Sequence, residues 1–326
     1  MRFERRAGRE GASLADRVRV KRTAIILIAV VLALGGALLA FRAHDPLGFI
    51  DARREARIAL GLPKLWVRDY NHDTRGEAAL ACPADALVIV TGGQSNAANA
   101  LSDPLPADPA LPAFMALGGK CYRLRDPVLG ATSTGGSLWT AMGAALHRAS
   151  GRPVVFINGA VGGSQLGDWL DDRSGYRQHL VAEVVAARRA GLVPGYVFWV
   201  QGETDAFVLV DPALFVDQLR RLMPRLDAAT GRVPWLVYRS TRCTIRRGNG
   251  PAIDAAVTAF AATSDRAILG PDASALGPDK RRDGCHFNAA GRDLLVAETV
   301  AIIGPRLQAR RAFRPAMPQS GVPASR

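Results

Sequence analysis

Short apolar runs alternate with amphipathic stretches from residue 86 to residue 307. The apolar runs are rich in β-branched and aromatic residues and predict strands that begin at Ala86, Pro153, Gly195, Pro234 and Ala267. Between them, apolar residues recur at helical spacing, which predicts helices over 137–148, 178–190, 211–230, 252–262 and 289–307. Uncharged strands alternating with helices are typical of a parallel sheet with helices on both faces. We therefore expect an α/β fold whose strand ends and following loops gather at one edge.

The first predicted strand ends in two glycines, followed by Gln94, Ser95 and Asn96. Glycines allow a sharp turn where side chains would collide. A small nucleophile on a tight turn after a strand is held clear of its own backbone, so Ser95 is a candidate nucleophile. The alternative is an ordinary glycine-rich turn in which Asn96 caps a helix.

An apolar segment near the amino terminus predicts a membrane span or a signal peptide. Residues 23–41 are nineteen residues without a charge, about 28 Å as a helix. The long preceding segment and the absence of a small-x-small cleavage site favour an uncleaved anchor. Residues 1–22 contain eight Lys and Arg, against five in residues 42–64 after the span. By the positive-inside rule we expect a cytoplasmic tail and an extracytoplasmic remainder.

The composition of the chain after residue 41 predicts a stalk, a globular domain and a carboxy-terminal tail. Residues 42–82 mix charges with Pro and Gly and predict a stalk, residues 83–309 form the predicted globular domain, and residues 310–326 predict a disordered tail. The proline-rich stretch 101–112 predicts a surface loop beside Ser95.

Charge and cysteine content narrow the function further. The net charge is +13, of which residues 1–22 supply +5. The remaining positive charge is scattered along the chain, so nucleic acid is not an expected partner.

Four cysteines in an extracytoplasmic domain predict two disulfides. Three pairings are possible, and we favour Cys82 with Cys121 and Cys243 with Cys285, because each ties loops near neighbouring strands. Their spacing does not match a zinc site.

Four loops after predicted strands contain groups suited to acyl transfer, and they cover 93–96, 158–169, 201–205 and 283–288. In the last loop, Asp283 and His286 are three residues apart, so the carboxylate can accept the imidazole Nδ1 hydrogen and leave Nε2 as a base. A serine nucleophile also needs donors for the oxyanion. The candidates are the backbone N–H groups of Ser95 and of Gly162 or Gly163, and the Gln201 amide. The alternative, purely structural interpretations are that the glycines form a tight turn and that Gln201 is a buried amide that ties loops together.

Acidic and aromatic residues of the same loops allow rival interpretations. Glu203 and Asp205 suggest a carboxylate pair for glycoside hydrolysis. With three further acidic residues they suggest a divalent-ion site: Asp168, Asp171 and Asp172. Three tryptophans are candidates for sugar stacking: Trp139, Trp169 and Trp199. We interpret Glu203 instead as a buried hydrogen-bonding partner that orders the loops.

Taken together, the blocks GQSNAAN, AVGGSQLGDW, QGETD and DGCHF resemble those of the SGNH hydrolase superfamily. They are similar to its sialate O-acetylesterase and acetylxylan-esterase branch. The resemblance implies a flavodoxin-like three-layer α/β/α fold, with Ser95 as nucleophile, His286 as base and Asp283 as its orienting acid. It implies the oxyanion donors named above, supported by Asn96 and Glu203. Val200 and Cys285 depart from the family pattern, which leaves substrate preference open.

We therefore expect a membrane-anchored, extracytoplasmic serine esterase that removes short acyl groups from a carbohydrate without a metal or a cofactor. Acyl transfer to a sugar hydroxyl would use the same residues. Two hypotheses from different classes stay open: a carbohydrate-binding domain without turnover, and a metal-dependent hydrolase.

Overall fold

A seven-stranded sheet organises the part of the chain that this computed structural model describes, which is residues 66–243 and 248–312 together with residue 30. Its strands are β1 (Leu87–Gly93), β2 (Ala113–Leu117), β3 (Lys120–Arg123), β4 (Val154–Asn158), β5 (Pro194–Val200), β6 (Trp235–Arg239) and β7 (Ala267–Asp272). They are arranged in the order β3-β2-β4-β1-β5-β6-β7. β2 and β3 pair antiparallel, and every other pair in the sheet is parallel.

The helices within those residues are α1 (Trp139–Ser150), α2 (Tyr176–Arg189), α3 (Glu203–Phe207), α4 (Pro212–Thr230), α5 (Gly250–Thr263) and α6 (Ala289–Ala312). Asp211 caps α4 by accepting the N–H groups of Ala213 and Leu214, and Pro212 occupies the first turn. Asn288 accepts the Gly291 N–H at the start of α6. These two starts agree with the sequence pattern.

Helices cover both faces of the sheet. On one face, Leu87 and Ile89 belong to the core that α1 and α6 complete. On the other face, α2, α4 and α5 pack together, and the rings of Trp169, Trp199 and Trp235 follow one another at centroid distances of 4.8 and 5.5 Å. Alternate residues of a strand point to opposite faces, so the uncharged runs fit a sheet covered on both sides.

The sequence analysis did not predict the β2–β3 hairpin. β2 has the sequence AFMAL, which also suits a helix, and β3 has the sequence KCYR at the edge of the sheet. Neither shows the long apolar run of an inner parallel strand. The disulfide Cys82–Cys121 joins β3 to the segment before β1, and the second disulfide is Cys243–Cys285. This is the pairing that the sequence analysis favours.

β1 lies at the centre of the sheet, between β4 and β5. The chain forms β2, β3 and β4 on one side of β1 and then crosses to form β5, β6 and β7 on the other, and ligands of open α/β sheets bind at such switch points. Gly93 has φ +120°, and a Cβ there would lie 2.0 Å from the Val200 carbonyl oxygen. Only glycine fits this close approach, which places Ser95 immediately beyond the carboxyl end of the central strand.

Several predictions from the sequence fall on residues that the structure does not describe. These are the tail 1–22, the span 23–41 apart from residue 30, most of the stalk 42–82, and 313–326 in the carboxy-terminal tail. The chain divides into two units, Met1–Trp66 and Val67–Arg326, and the fold above is that of the second unit. Within the described residues, every helix is too short or too polar to cross a membrane.

Candidate active site

Ser95 opens a single 3-10 turn, Ser95–Ala97, directly after β1. The Ala97 carbonyl accepts hydrogen bonds from Trp139 Nε1 at 2.7 Å and from Asn158 Nδ2 at 3.2 Å. These bonds fix the turn to the start of α1 and the end of β4. Asn96 is the middle residue of the turn and does not cap a helix.

Asp283 and His286 form the contact that their spacing predicts. The Asp283 Oδ2 atom lies 2.7 Å from His286 Nδ1, and Asp283 Oδ1 accepts the backbone N–H groups of Cys285 and His286 at 3.0 and 2.8 Å. Partial burial acts to raise the pKa of Asp283, but its hydrogen bonds and the attraction of His286 outweigh burial and lower that pKa. An ionised carboxylate only accepts, so Nδ1 carries the hydrogen and Nε2 remains a base.

Asn96 connects the turn of Ser95 with the loop of His286. Its Nδ2 donates to the Cys285 carbonyl at 3.3 Å, and its Oδ1 accepts the Phe287 N–H at 3.4 Å. The neighbour of Ser95 is therefore bonded to both neighbours of His286. Among the residues described, no hydrogen bond joins Ser95 Oγ directly to His286 Nε2, and such bonds often form only with substrate.

Glu203 lies beneath this connection and is buried. Its Oε1 accepts from Asn96 Nδ2 at 2.5 Å and from Ser240 Oγ at 2.7 Å. Burial raises the pKa of Glu203, and the two hydrogen bonds and the charge of Arg281 oppose that rise. Arg281 also donates to the Cys285 carbonyl. Glu203 thus occupies the position of a buried partner that orders the loops around Ser95 and His286.

Gln201 belongs to a second buried network and differs from the expectation of a free oxyanion donor. Its Nε2 donates to the Ser164 carbonyl and to Asp205 Oδ2, each at 2.7 Å, and lies 3.2 Å from Gln94 Oε1. Asp205 is fully buried, and burial raises its pKa to about 7. Both hydrogens of the Gln201 amide have acceptors within the protein. As an oxyanion donor, Gln201 would have to give up one of these bonds.

The glycine pair lies beside Ser95. A Cβ on Gly162 would be 4.0 Å from the Ser95 Cβ, whereas a Cβ on Gly163 would have no atom within 4 Å. The Gly162 N–H donates to Thr132 Oγ1 at 2.8 Å. The approach to Ser95 is therefore open on this side, as an acyl group requires, but the Gly162 N–H already has an acceptor.

The described residues do not form the sugar-stacking surface, the glycosidase carboxylate pair or the divalent-ion site that the sequence also suggested. Trp139, Trp169 and Trp199 are 0% exposed and present no ring to a sugar. Glu203 Oε1 and Asp205 Oδ2 accept hydrogen bonds in the two separate networks described above. Among the described residues, no three or more His, Cys, Asp and Glu side chains are grouped so that they could hold a metal ion.

Three residues of the site were missed by the sequence analysis: Thr132, Ser240 and Arg281. Ser240 directly follows β6. Because functional residues of α/β sheets lie in the loops after parallel strands, this position could have identified Ser240 as a candidate. Arg281 is two residues before Asp283, but no local pattern shows that its guanidinium is buried beneath the loop.

The parallel sheet and the Ser95–Asn96–His286 arrangement define an α/β fold of the SGNH hydrolase type. Residues 127–299, more than half of the chain, match the sequence profile of the family described as carbohydrate esterase, sialic acid-specific acetylesterase. The chain belongs to this family, as the resemblance predicts. The matched region contains Asp283 and His286 and begins after Ser95. No curated protein sequence matches the chain.

One solved structure supports the fold, and two others show a weaker similarity. A protein from Arabidopsis thaliana has a TM-score of 0.57 and 14% identity, with 69% of this chain and 98% of that chain covered. A carbohydrate acetylesterase from Xanthomonas citri has a TM-score of 0.45 and 16% identity over 66% of this chain and 55% of that one. NanS has a TM-score of 0.46 and 16% identity over 72% of this chain and 100% of that one. With the family match, the chain is a carboxylic ester hydrolase of the carbohydrate acetylesterase class.

The disulfide Cys243–Cys285 attaches the His286 loop to the segment after β6, whereas Cys82–Cys121 lies at the other side of the sheet. The two disulfides close loops of similar length, with sequence separations of 42 and 39 residues. Each should therefore contribute a similar stabilisation, about 4 kcal/mol in the chain-entropy estimate. Only Cys285 is adjacent to His286.

We predict that the double variant Cys243→Ser with Cys285→Ser loses activity beyond its loss of stability. Its kcat for acetyl ester hydrolysis should fall by about 10- to 100-fold, because small displacements of a catalytic group cost that much. The matched control, Cys82→Ser with Cys121→Ser, should lose similar stability in urea unfolding but retain kcat. Equal kcat values in the two double variants would contradict a positioning role for Cys243–Cys285.

Proposed function

We propose that this protein is a membrane-anchored, extracytoplasmic serine esterase that removes acetyl groups from a carbohydrate through Ser95, His286 and Asp283. The observation that carries the proposal is the Asn96 side chain, which bonds to both residues flanking His286. Its support is the Asp283–His286 contact of 2.7 Å. These contacts bring a serine after the central strand and an oriented imidazole to the same edge of the sheet.

In the proposed reaction, His286 Nε2 removes the proton of Ser95 Oγ as that oxygen attacks the acetyl carbonyl carbon. The tetrahedral intermediate then breaks its bond to the sugar oxygen, which takes the proton from His286. Water attacks the resulting acetyl-serine, again with His286 as base, and acetate is released. Asp283 stays ionised throughout, because its pKa is lowered in the folded protein, and it stabilises the imidazolium.

The oxyanion of this reaction requires donors next to Ser95. The Ser95 N–H is at the start of a 3-10 turn, where backbone N–H groups lack intrahelical acceptors. Gly162 and Gly163 flank the same space, and Gln201 stays a predicted donor that would have to exchange a partner. An open approach over the glycines supports a small acyl group.

The substrate class follows from the family. Membership of a family described as sialic acid-specific acetylesterase supports an acetylated carbohydrate as substrate. Sialic acids are therefore the first sugars to assay, followed by acetylated xylan and cell-wall glycans. Release of acetate, measured for each, identifies the natural ester.

Anchoring and location rest on the sequence of residues 23–41 and on the disulfides. An uncharged segment of nineteen residues after eight basic residues supports an anchor with a cytoplasmic tail. Two disulfides in the globular domain support an oxidising compartment.

The triad predicts that Ser95→Ala or His286→Ala lowers kcat/KM for p-nitrophenyl acetate by roughly three or more orders of magnitude. Asp283→Asn should also cause a large loss, because the wrong tautomer of His286 is favoured. The assay uses the full chain in detergent, with Ser264→Ala as a control, since Ser264 lies between α5 and β7 at the other end of the sheet. An unchanged rate for Ser95→Ala would remove the esterase mechanism, and a wild-type chain without turnover would favour a binding domain.

The anchor predicts that the enzyme sediments with membranes and that protease added outside intact cells or spheroplasts digests its globular domain. The basic tail should become accessible only after detergent is added. Immunoblots with an epitope tag at either end measure both results. A globular domain that stays protected until lysis, or that is found in the soluble fraction, would refute the proposed location.

A further inference from the structure

Two hydroxyl groups from the loop between β3 and α1 border the space over Gly162, which Ser95 also borders. A Cβ on Gly162, 4.0 Å from the Ser95 Cβ, would also be 3.5 Å from Thr132 Oγ1 and 3.6 Å from Ser133 Oγ. The small space over Gly162 is thus bordered by Ser95 and by both hydroxyls. A carbonyl group under attack by Ser95 must occupy space next to that side chain.

Thr132 has a hydroxyl hydrogen without a described acceptor. The residue is 1% exposed, and its Oγ1 accepts the Gly162 N–H at 2.8 Å. Within the described part of the chain, no group accepts the hydrogen of that hydroxyl in return. A buried donor without a partner is costly. Because an N–H donates into the oxygen, the hydroxyl hydrogen becomes a better donor.

The backbone around Thr132 is held from two sides. The Thr132 N–H donates to the Ala160 carbonyl at 3.1 Å, and the Thr132 carbonyl accepts the Asn99 N–H at 3.1 Å. These bonds attach it to the loop after β4 and to the chain after Ser95. Ser133 has φ +71°, a left-handed conformation that is unfavourable for a non-glycine residue. Such conformations persist where surrounding contacts enforce them, often at functional sites.

Two of the donors expected from the resemblance, Gln201 and the Gly162 N–H, already have acceptors within the protein. The Gln201 amide donates to the Ser164 carbonyl and to the Asp205 carboxylate, and the Gly162 N–H donates to the Thr132 hydroxyl. The Thr132 hydroxyl accepts the Gly162 N–H and borders the same small space over Gly162 as Ser95. A hydroxyl in this position transmits the polarity of the backbone N–H to a ligand oxygen.

Building on the proposed function, we propose that Thr132 is a catalytic residue whose hydroxyl donates a hydrogen bond to the oxyanion. The Gly162 N–H polarises that hydroxyl, and the Ser95 N–H is the second donor. No bond to Thr132 is made or broken, and its hydrogen stays on Oγ1. Its contribution is greatest in the tetrahedral intermediate, where the negative charge is greatest.

The test compares Thr132→Val with Thr132→Ser, in the full chain, with p-nitrophenyl acetate as the probe. Active sites are titrated with a reactive phosphonate, so that kcat refers to correctly folded enzyme alone. Thr132→Val should lower kcat by about 100-fold with little change in KM, as for loss of one oxyanion donor. Thr132→Ser restores the hydroxyl and should stay within about tenfold of wild type. Thr132→Ala provides a smaller variant if the valine protein does not fold.

The remote control is Thr230→Val at the end of α4, where the Thr230 hydroxyl donates to the Leu226 carbonyl. It should change stability but not kcat. If the Gly162 N–H itself is the oxyanion donor, Thr132→Val releases it, and a kcat at or above the wild-type value would overturn the proposal. A purely structural role would lower the titrated fraction and leave kcat per site unchanged, which also overturns it. Loss of activity in Ser95→Ala together with full activity in Thr132→Val would reject this inference alone.

Discussion

The buried carboxamide of Asn96 is the interaction on which the arrangement of this site depends. It bonds to Glu203 and to the backbone on both sides of His286, residues that are 107 to 191 positions away in the sequence. Asn96 is 0% exposed, so losing any of these bonds would leave a buried polar group without a partner. The Asn96 side chain therefore links the Ser95 turn directly to the His286 loop.

The sheet makes that interaction possible. β1 lies between β4 and β5, and Gly93 allows the chain to pass against the Val200 carbonyl before the turn. The ends of neighbouring parallel strands then deliver their loops to one edge. Cys243–Cys285 and the Asp283 hydrogen bonds define the His286 loop locally, while Glu203 and Arg281 support it from beneath. The site combines a rigid sheet edge with loops that are each bonded at more than one point.

Much of this arrangement could be predicted from the sequence, because its signals are local. Uncharged runs rich in β-branched residues identified five of the seven strands, β1, β4, β5, β6 and β7, and Asp211 and Asn288 marked helix starts. The β2–β3 hairpin lacked such a signal, since its residues suit other structures equally well. The partners of Gln201 could not be read from the chain either. Its spacing indicates a place near Ser95, but only folding shows that Ser164 and Asp205 take its hydrogens. Likewise, the place of Thr132 near the site could not be predicted, because its loop contains no recognisable sequence motif.

The central claim is that Asn96 holds Ser95 and His286 in one active site. Labelling with a reactive phosphonate, followed by peptide mapping, tests it most directly. The account predicts one adduct, on Ser95, whose formation slows by orders of magnitude in His286→Ala and by about tenfold or more in Asn96→Ala. An adduct on another residue, or labelling of Ser95 at the wild-type rate in either variant, would contradict the account.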